Sequence, residues 1–344
     1  MDESTALMLR AIDAARLGPE ADPNPRVGCV VTDAVGTVVG TGHHRGAGTP
    51  HAEVDALAQA GDRARGGTAH VTLEPCDHTG RTPPCTRALI EAGISRVVYS
   101  VADPDPLAAG GAATLTAAGI AVEGGLLQEA GEALNASWLH ARRTGRPFVV
   151  AKSAATLDGR VAASDGTSRW ITGEAARADV HELRARCGAV VVGTGTALAD
   201  DPQLTVRHPN PSDAGSPPRR QPLRVVVGRR RLPTHARLLD DAAETLALAT
   251  HDLAEVLATL QARGIHRVLL EGGPTLSAAF VAAGLVDEVV AYIAPAFLGT
   301  GASVMADLGV TTIEDAVRLH PVDVTVLGPD VRITARPAHP LARS

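Results

Sequence analysis

Residues 68–85 read Thr-Ala-His-Val-Thr-Leu-Glu-Pro-Cys-Asp-His-Thr-Gly-Arg-Thr-Pro-Pro-Cys, and this stretch decides how the first half of the chain folds. The β-branched run over residues 68–73 predicts a strand that ends at the following proline. The two prolines before Cys85 favour a helix that begins there, and Gly93 stands where a left-handed helix cap is expected. We therefore expect Cys76 just after a strand and Cys85 at a helix N-terminus, where the partial positive charge favours a thiolate.

The triplet His51-Ala52-Glu53, upstream of this stretch, adds an imidazole and a carboxylate. His51, Cys76 and Cys85 together offer three zinc ligands and leave the fourth tetrahedral position open, which separates a catalytic zinc from a structural one. A water molecule bound there is acidified toward neutrality and becomes a nucleophile. Glu53 would lie on a helix, rotated away from the ligand direction, and could shuttle the proton of that water. His-x-Glu followed by Pro-Cys and a later Cys is typical of zinc deaminases.

A closed structural zinc site is the alternative interpretation of the same residues, with His78 as the fourth ligand. Glu53 would have no task in such a site, so the pattern favours the open one.

The remainder of the first half predicts alternating helices and strands. We expect a helix capped by Ser4 and stopped at Gly18, and a hairpin of two strands at residues 27–32 and 35–41. Further strands at residues 96–101 and 120–123 and a last helix at residues 126–142 complete a layered α/β sandwich with a mixed sheet.

Three motifs of this half resemble the family of bifunctional riboflavin-biosynthesis deaminase-reductases. They are Asn24-Pro25-x-Val27-Gly28, His51-Ala52-Glu53 and the run from Glu74 to Cys85. The eight-residue gap between the cysteines is distinctive, because most zinc nucleobase deaminases have two residues there. The resemblance implies a cytidine-deaminase-like three-layer sandwich that holds one Zn²⁺ per chain.

The same resemblance implies substrate contacts in the first half. Arg81, in the loop between the cysteines, would meet the ribose phosphate, and Asn24 and His44 would contact the substrate as well. A turn-forming role for Asn24 and a surface-loop position for His44 remain open. Asp77 and Asp105 depart from the family pattern, which leaves the substrate contacts open but not the metal.

The composition predicts an enzyme with two domains. The chain has 344 residues, of which 45% are hydrophobic and 20% are charged, as in ordinary globular proteins. The turn-forming segment at residues 142–147 places the boundary. We expect a zinc-dependent deaminase domain at residues 1–145 and a reductase domain at residues 146–344.

Several other classes of protein are disfavoured. A net charge of −6 and only seven aromatic residues argue against nucleic-acid binding. The N-terminal residues lack the features of a signal peptide, and the charge-free stretch at residues 289–306 is interrupted by proline and glycine. Four cysteines in so long a chain do not make a disulfide framework. We expect a cytoplasmic enzyme without membrane contacts that forms a homo-oligomer.

The second half predicts another α/β unit, with strands at residues 148–153, 189–192, 223–227, 267–271 and 288–293 and a late hairpin at residues 322–327 and 331–335. No Gly-x-Gly-x-x-Gly follows any of these strands, so a Rossmann site is not supported. The turns at residues 192–196 and 271–275 each leave a strand through glycines and enter a helix. Unpaired N–H groups at a helix start attract a pyrophosphate.

These turns belong to a set of motifs that resemble the reductase half of the same family, which implies a dihydrofolate-reductase-like domain that uses NADPH. The matching residues are Lys152, Thr156-Leu-Asp158-Gly-Arg160, Ser168-x-Trp170-Ile-Thr172, Arg184, the stretch from Thr196 to Arg207, and Glu271-Gly-Gly-Pro-Thr275. By the resemblance, the contacts to NADPH would come from Ala154, Trp170, Thr196, Asp200, Gly273, Pro274, Thr275, Leu276, Ser277, Ala278 and Ala279. Contacts to the substrate would come from Ser168, Arg184, Leu204, Arg207 and Glu271.

Lys152 is the only lysine of the chain. An arginine-rich protein that keeps one lysine on a strand indicates a specific task, such as protonating the ring-opened sugar while Asp200 sets the charge of the ammonium. Chance retention is the alternative. Arg184 and Arg207 suit a sugar phosphate, because guanidinium groups match phosphate oxygens in a fork. Residues 229–231, three arginines, either hold the 2′-phosphate of NADP or form a solvated charge run.

The predicted function is therefore two consecutive reactions on a phosphorylated pyrimidine. The first site would remove an amino group by hydrolysis, and the second would reduce the ribosyl group to ribityl with NADPH. The alternatives are a nucleic-acid base deaminase with a C-terminal binding module and a non-catalytic zinc-stabilised binding protein.

Overall fold

The computed structural model of the chain describes residues 2–79, 83–207 and 220–338. The chain folds as two compact units, Met1–Gly145 and Arg146–Ser344. Among the described helices, none has the length and the apolar character that crossing a membrane requires.

The first unit is built on a five-stranded mixed sheet in the order β2-β1-β3-β4-β5, in which β1 is antiparallel to both β2 and β3 and the last three strands are parallel. The strands are β1 (Gly28–Thr32), β2 (Val38–His43), β3 (Thr68–Leu73), β4 (Arg96–Val101) and β5 (Ala121–Gly124). The helices are α1 (Glu3–Ala15), α2 (Ala52–Ala60), α3 (Cys85–Glu91), α4 (Gly111–Ala117), α5 (Gln128–Leu134) and α6 (Ala136–Thr144).

Alternating side chains of β1 form the two halves of the core of this unit. Cys29 and Val31 pack with the alanines of α2 on one face of the sheet, and Val30 packs with Met8 and Ile12 of α1 on the other. Successive residues of a strand point to opposite faces, so the sheet lies between two helical layers. The three-layer sandwich that the sequence predicts is confirmed.

Glycine in β2 allows α2 to lie directly on the sheet. A Cβ atom on Gly42 would stand 2.4 Å from the backbone oxygen of Ala52, closer than real contacts allow. Because α2 begins immediately after His51, this close approach sets where His51 and Glu53 stand over the sheet.

The second unit is built on an eight-stranded sheet in the order β10-β9-β8-β11-β6-β12-β15-β14. Its strand pairs are parallel except for β12–β15 and β15–β14, because β15 runs against both of its neighbours. Two further strands, β7 and β13, pair with each other in a separate two-stranded sheet. The strands of the unit are β6 (Phe148–Thr156), β7 (Arg160–Ala162), β8 (Ala189–Gly193), β9 (Leu223–Val227), β10 (Thr245–Leu248), β11 (Arg267–Leu270), β12 (Glu288–Ala294), β13 (Ala302–Ser303), β14 (Leu319–Leu327) and β15 (Asp330–Pro337). Its helices are α7 (Glu174–Ala185), α8 (Thr194–Asp200), α9 (Leu253–Ala262) and α10 (Pro274–Ala282).

Both faces of this sheet are covered. Val256 and Leu260 of α9 and Phe280 of α10 pack on one face, and Leu183 of α7 packs on the other. The parallel strands are accordingly apolar runs instead of alternating ones. The order of the strands brings the carboxyl ends of β8, β11 and β6 side by side, which is where ligands of such sheets bind.

Four details differ from the expectations. Asp2 caps α1 by accepting from the N–H of Thr5, and Ser4 lies inside the helix. The second strand of the hairpin begins at Val38, because turn hydrogen bonds to the Asp33 carboxylate occupy the residues before it. The helix expected at residues 126–142 is divided in two at Asn135, and the short strands β7, β10 and β13 were not predicted.

The side-chain amide of Asn135 explains the division of that helix. It accepts from the backbone N–H of Arg26 at 2.9 Å and donates to the carbonyl of Arg26 at 2.8 Å. This pair of long-range hydrogen bonds joins the helix break to the segment that carries Asn24.

Arg224 is a fully buried cation in β9 that holds the segment after that strand. It donates to the Oδ1 atom of Asp240 at 2.7 Å and to the backbone carbonyls of Asp240 and Arg237 at 2.6 and 3.2 Å. Removing this fully buried side chain takes away the donor of several hydrogen bonds and leaves a cavity in its place.

We expect Arg224→Ala to lower the free energy of unfolding of the protein by about 3 kcal/mol or more, measured by denaturant titration. Arg263→Ala is the matched control, since Arg263 forms an exposed ion pair with Glu244 and its loss should cost about 0–1 kcal/mol. Equal effects of the two substitutions would contradict a structural role for the buried guanidinium.

Candidate functional sites

A cluster of His51, Cys76 and Cys85 stands in the first unit, and their ligand atoms lie within 4.8 Å of one another. The Nδ1 atom of His51 is 3.2 Å from the sulfur of Cys85 and 3.6 Å from that of Cys76. Zinc bonds of about 2.0–2.1 Å to nitrogen and about 2.3 Å to sulfur at a tetrahedral angle would put nitrogen and sulfur about 3.6 Å apart. The donor set and its spacing therefore fit a zinc ion.

Three separate elements deliver these ligands. His51 is the residue before α2, Cys76 follows β3, and Cys85 is the first residue of α3. The N–H of Cys85 points to the Cys76 sulfur at 3.5 Å, and the N–H of Thr86 donates to the carbonyl of Cys76 at 3.3 Å. The start of α3 is thereby fastened to the end of β3.

The two cysteines differ in acidity. Hydrogen bonds from Cys85 and His51 lower the pKa of the Cys76 thiol to about 4, against the opposing effect of burial. The hydrogen bond shared with Cys76 and burial raise the pKa of Cys85. These opposite shifts describe one hydrogen bond shared by the two sulfurs, so the prediction that the helix N-terminus favours a thiolate at Cys85 stays a prediction.

Glu53 lies in the first turn of α2 and is only 3% exposed. Its side chain lines the same cavity as His51 and Cys76, so it is close to the ligands without being one of them. Burial, followed by the nearby Cys76 sulfur, raises the pKa of Glu53 to about 6. A carboxyl group with such a pKa can both accept and release a proton near neutral pH.

Hydrogen bonds of Glu74 and Asp77 fix the segment that carries Cys76, which we call the ligand loop. The Asp77 carboxylate accepts from the hydroxyl groups of Thr86 and Thr114, both at 2.6 Å. The Glu74 carboxylate accepts from the backbone N–H groups of Asp103 at 3.2 Å and Ala112 at 3.0 Å. The segment around Cys76 is in this way held to α3 and to α4.

Asn24 and His44 stand beside the ligand cluster. They line the same cavity of about 570 Å³, and the Nδ2 atom of Asn24 is 3.1 Å from the Nε2 atom of His44. The ring of His44 is 5.4 Å from that of His51 in an edge-on arrangement, and His44 is buried, not on a surface loop. Arg81 lies outside the described residues. His78 is exposed and outside the three-residue cluster, which disfavours a closed zinc site.

Further lining residues were missed at the sequence level. Asp103, Asp105, Trp138 and Arg142 all border the cavity, and burial raises the pKa of Asp103 to about 6. Arg142 was interpreted as part of a charged connector. Only the packing of α6 against the end of β3 and β4 brings it to the cavity, and no local pattern signals that contact.

In the second unit, the two glycine turns meet at the carboxyl ends of the adjacent strands β8 and β11. The N–H of Gly273 donates to the Oγ1 atom of Thr196 at 3.0 Å, and α10 begins at Pro274. Thr275 and Ala279 are exposed and Leu276 is half-buried, whereas Ser277 and Ala278 are buried in the unit. Ala154 lies near the carboxyl end of β6, the neighbouring strand.

Beside these turns, Glu271 forms a buried ion cluster. Arg184 donates to its two carboxylate oxygens at 2.6 and 3.0 Å, and the Nζ atom of Lys152 is 3.7 Å away. Burial alone would raise the pKa of Glu271, but Arg184 and Lys152 outweigh it and hold that pKa at about 2. Glu271 is therefore a fixed anion between two cations.

The described residues show no ion pair between Lys152 and Asp200, so the role that the sequence assigns to Asp200 stays a prediction. Among the described residues, the carboxylate within ion-pair distance of Lys152 is that of Glu271, and Asp200 is exposed at the end of α8. The reason is the sheet order, because β6 lies next to β11, which Glu271 follows, and not next to β8.

The remaining predicted residues surround this cluster. Arg207 lies near Arg184, and burial together with the charges of Arg184 and Arg237 lowers the pKa of Arg207. Leu204 is buried in a left-handed conformation, with a φ angle of 52°. Ser168 is half-buried, and Trp170 is exposed with the Arg177 guanidinium 4.6 Å from its ring.

Comparison with known families assigns both units. Residues 1–101 match the cytidine and deoxycytidylate deaminase zinc-binding region, and residues 147–333 match the RibD C-terminal domain. These matches confirm zinc as the predicted cofactor of the first unit and the predicted fold class, while the three-residue ligand set stays a prediction.

Whole-chain relatives agree with the two matches. The chain is 49% identical to the riboflavin biosynthesis protein RibD of Mycobacterium tuberculosis (strain ATCC 25618 / H37Rv) over 314 residues, 91% of each chain. It is 43% identical to that of Escherichia coli K12 over 355 residues, 94% of this chain and 96% of the relative. The structure of Acinetobacter baumannii RibD, form 1, superposes with a TM-score of 0.91 and is 42% identical in sequence. The match covers 98% of this chain and 99% of the A. baumannii chain. The chain therefore belongs to the RibD family of riboflavin biosynthesis proteins, with a zinc-binding deaminase domain followed by a reductase domain.

Proposed function

We propose which residues of the chain carry out each of the two reactions of this bifunctional enzyme. In the first, 2,5-diamino-6-ribosylamino-4(3H)-pyrimidinone 5′-phosphate is hydrolytically deaminated. In the second, the ribosyl group of 5-amino-6-(5-phosphoribosylamino)uracil is reduced to ribityl with NADPH. Residues 1–145 carry the deaminase and residues 146–344 the reductase. The two alternative functions are disfavoured because both halves of the chain match the same family.

In the deaminase, His51, Cys76 and Cys85 would hold the zinc ion. When bound, zinc supplies a Lewis acid that brings the pKa of water toward neutrality. Glu53 would take the proton released from that water on its carboxylate and pass it to the departing amino group, which leaves as ammonia. Burial keeps the pKa of Glu53 near 6, which suits both transfers. Asn24 and His44 would orient the pyrimidine ring beside His51.

In the reductase, the turns that meet at Thr196 and Gly273 would hold the pyrophosphate of NADPH. When bound, NADPH supplies the hydride for carbon 1 of the opened sugar. Lys152 would donate the proton that the substrate takes up, and Glu271, 3.7 Å from its Nζ atom, would hold the ammonium group in place. Arg184 and Arg207 would bind the sugar phosphate, because this anion would join two neighbouring guanidiniums while Arg184 keeps its hydrogen bonds to Glu271.

Three further properties belong to this proposal. Exposed valines on the edge strand β14, Val324 at 61% and Val326 at 71%, support a homo-oligomer. Free thiols at Cys76 and Cys85 are needed to bind zinc, which supports the reducing cytoplasm as the location. The acidic net charge supports small-molecule substrates and no nucleic acid.

The single observation that carries the deaminase assignment is the three-ligand cluster beside a buried carboxyl group. Metal analysis of the purified chain, together with ammonia release from the diaminopyrimidinone substrate, tests it directly. A protein without stoichiometric zinc, or one that binds zinc and releases no ammonia, would refute the assignment.

Glu53→Gln should retain one zinc ion per chain and lower ammonia release by about 10²- to 10⁴-fold, because the amide cannot carry the proton. Glu91→Gln is the matched control, since Glu91 pairs with Arg87 on the surface at the end of α3. Normal turnover by Glu53→Gln would show that another group moves the proton.

Lys152→Arg should keep the positive charge beside Glu271 but donate its proton far less readily, because a guanidinium does not titrate near neutrality. We expect NADPH oxidation with the deaminated substrate to fall by about 10²-fold or more, while ammonia release stays unchanged. Lys152→Ala should lose NADPH oxidation as well. Unimpaired reduction by Lys152→Arg would remove the proton-donor role.

Asp77→Ala should weaken zinc binding by about 10- to 100-fold, because Thr86 and Thr114 lose the carboxylate that joins α3 and α4 to Cys76. The measurement is competition with a chelator, with Asp33→Ala as the control in the β1–β2 turn. Zinc affinities equal to wild type in both variants would show that the ligand loop needs no such support.

A further inference from the structure

The deaminase cavity is lined mainly by acidic charge. Four carboxylates border it, those of Glu53, Glu74, Asp103 and Asp105. Among the described lining residues, Arg142 is the only arginine or lysine, and Arg81, which the resemblance assigns to the ribose phosphate, lies outside the described residues. A substrate with a phosphate dianion would be repelled by such a wall unless a cation met the phosphate.

Arg142 is held at the cavity by two contacts. Its guanidinium carbon stands 5.5 Å from the centre of the Trp138 ring, and Trp138 is itself buried. Its Nη1 atom is 3.5 Å from the Oδ2 atom of Asp105, and its side chain is 35% exposed. Stacking on an aromatic face restricts a guanidinium to one plane and leaves its N–H donors free to point outward from the ring edge.

The ion pair between Arg142 and Asp105 is loose. Strong charge-assisted hydrogen bonds between nitrogen and oxygen are about 2.7–2.9 Å long, so a separation of 3.5 Å leaves donors of Arg142 unsaturated. Asp105, in contrast, is fastened by its own loop. Its Oδ1 atom accepts from the N–H of Leu107 at 3.1 Å, and its N–H donates to Asp103 at 2.9 Å.

We propose that Arg142 binds the 5′-phosphate of the deaminase substrate, and that Asp105 holds the guanidinium in place before the substrate arrives. This inference rests on the proposed deaminase function of the same cavity. A phosphate dianion is a stronger partner than a carboxylate at 3.5 Å, so the guanidinium exchanges Asp105 for the phosphate while it remains stacked on Trp138. Asn24 and His44 hold the ring beside His51, and Arg142, on α6, selects for the phosphorylated form.

The test compares two substrates in the full-length zinc-loaded enzyme. Ammonia release is measured at varied concentrations of the 5′-phosphorylated substrate and of its dephosphorylated counterpart. Arg142→Ala should raise the KM for the phosphorylated substrate by about 10- to 100-fold and leave the parameters for the dephosphorylated one unchanged. The KM of Arg142→Lys for the phosphorylated substrate should lie between those of wild type and Arg142→Ala, because lysine keeps the positive charge but lacks the forked N–H donors of a guanidinium.

Arg143→Ala is the matched control on the same helix. Arg143 pairs with Glu132 at 2.8 Å and does not line the cavity, so its removal should leave both substrates unaffected. Zinc content and NADPH oxidation report on folding in every variant.

The outcomes separate the inference from the function on which it rests. Absence of ammonia release from wild type would refute the deaminase itself. Normal wild-type activity with an unchanged KM in Arg142→Ala would refute the phosphate contact. Equal losses with both substrates would also refute it, because a residue that only supports the cavity does not distinguish them.

Discussion

The first unit depends on bringing one imidazole nitrogen and two sulfurs within bonding reach of a single point. His51, Cys76 and Cys85 come from three elements, and the backbone of β2 must lie close to α2 for His51 to arrive there. Two sulfurs at this separation cannot both carry negative charge without a cation, as the opposite pKa shifts of Cys76 and Cys85 express. A divalent cation resolves that conflict, so metal binding and the packing of this unit stabilise each other.

The two units use a buried glutamate in opposite ways. Glu53 has no arginine or lysine partner among the described ion pairs, and burial raises its pKa to about 6. Glu271 is equally buried, yet Arg184 and Lys152 hold its pKa at about 2. The first can exchange a proton near neutrality, whereas the second stays ionised. Because its pKa is depressed on folding, Glu271 contributes stability above the unfolded value of 4.5, and this is lost as the pH falls toward 2.

The parts of the structure that local patterns determine could be predicted from the sequence. The strands at residues 68–73, 96–101 and 223–227 were predicted to the residue, because apolar β-branched runs flanked by glycine or proline leave little choice. The fold class followed from motifs that resemble a family. The break at Asn135 and the neighbour of Lys152 could not be predicted, since each depends on a partner more than a hundred residues away.

The departures of this chain from the family pattern are compensated within the structure. The Asp77 carboxylate accepts hydrogen bonds from the hydroxyl groups of Thr86 and Thr114, and the Asp105 carboxylate forms an ion pair with the guanidinium of Arg142. Neither carboxylate belongs to the three-ligand cluster, so both leave the ligand set unchanged. Each adds negative charge close to a site that must attract a cation and repel misplaced anions. Among the described residues that line the cavity, Arg142 is the arginine or lysine that can attract an anion, so its position beside Asp105 opposes the acidic lining.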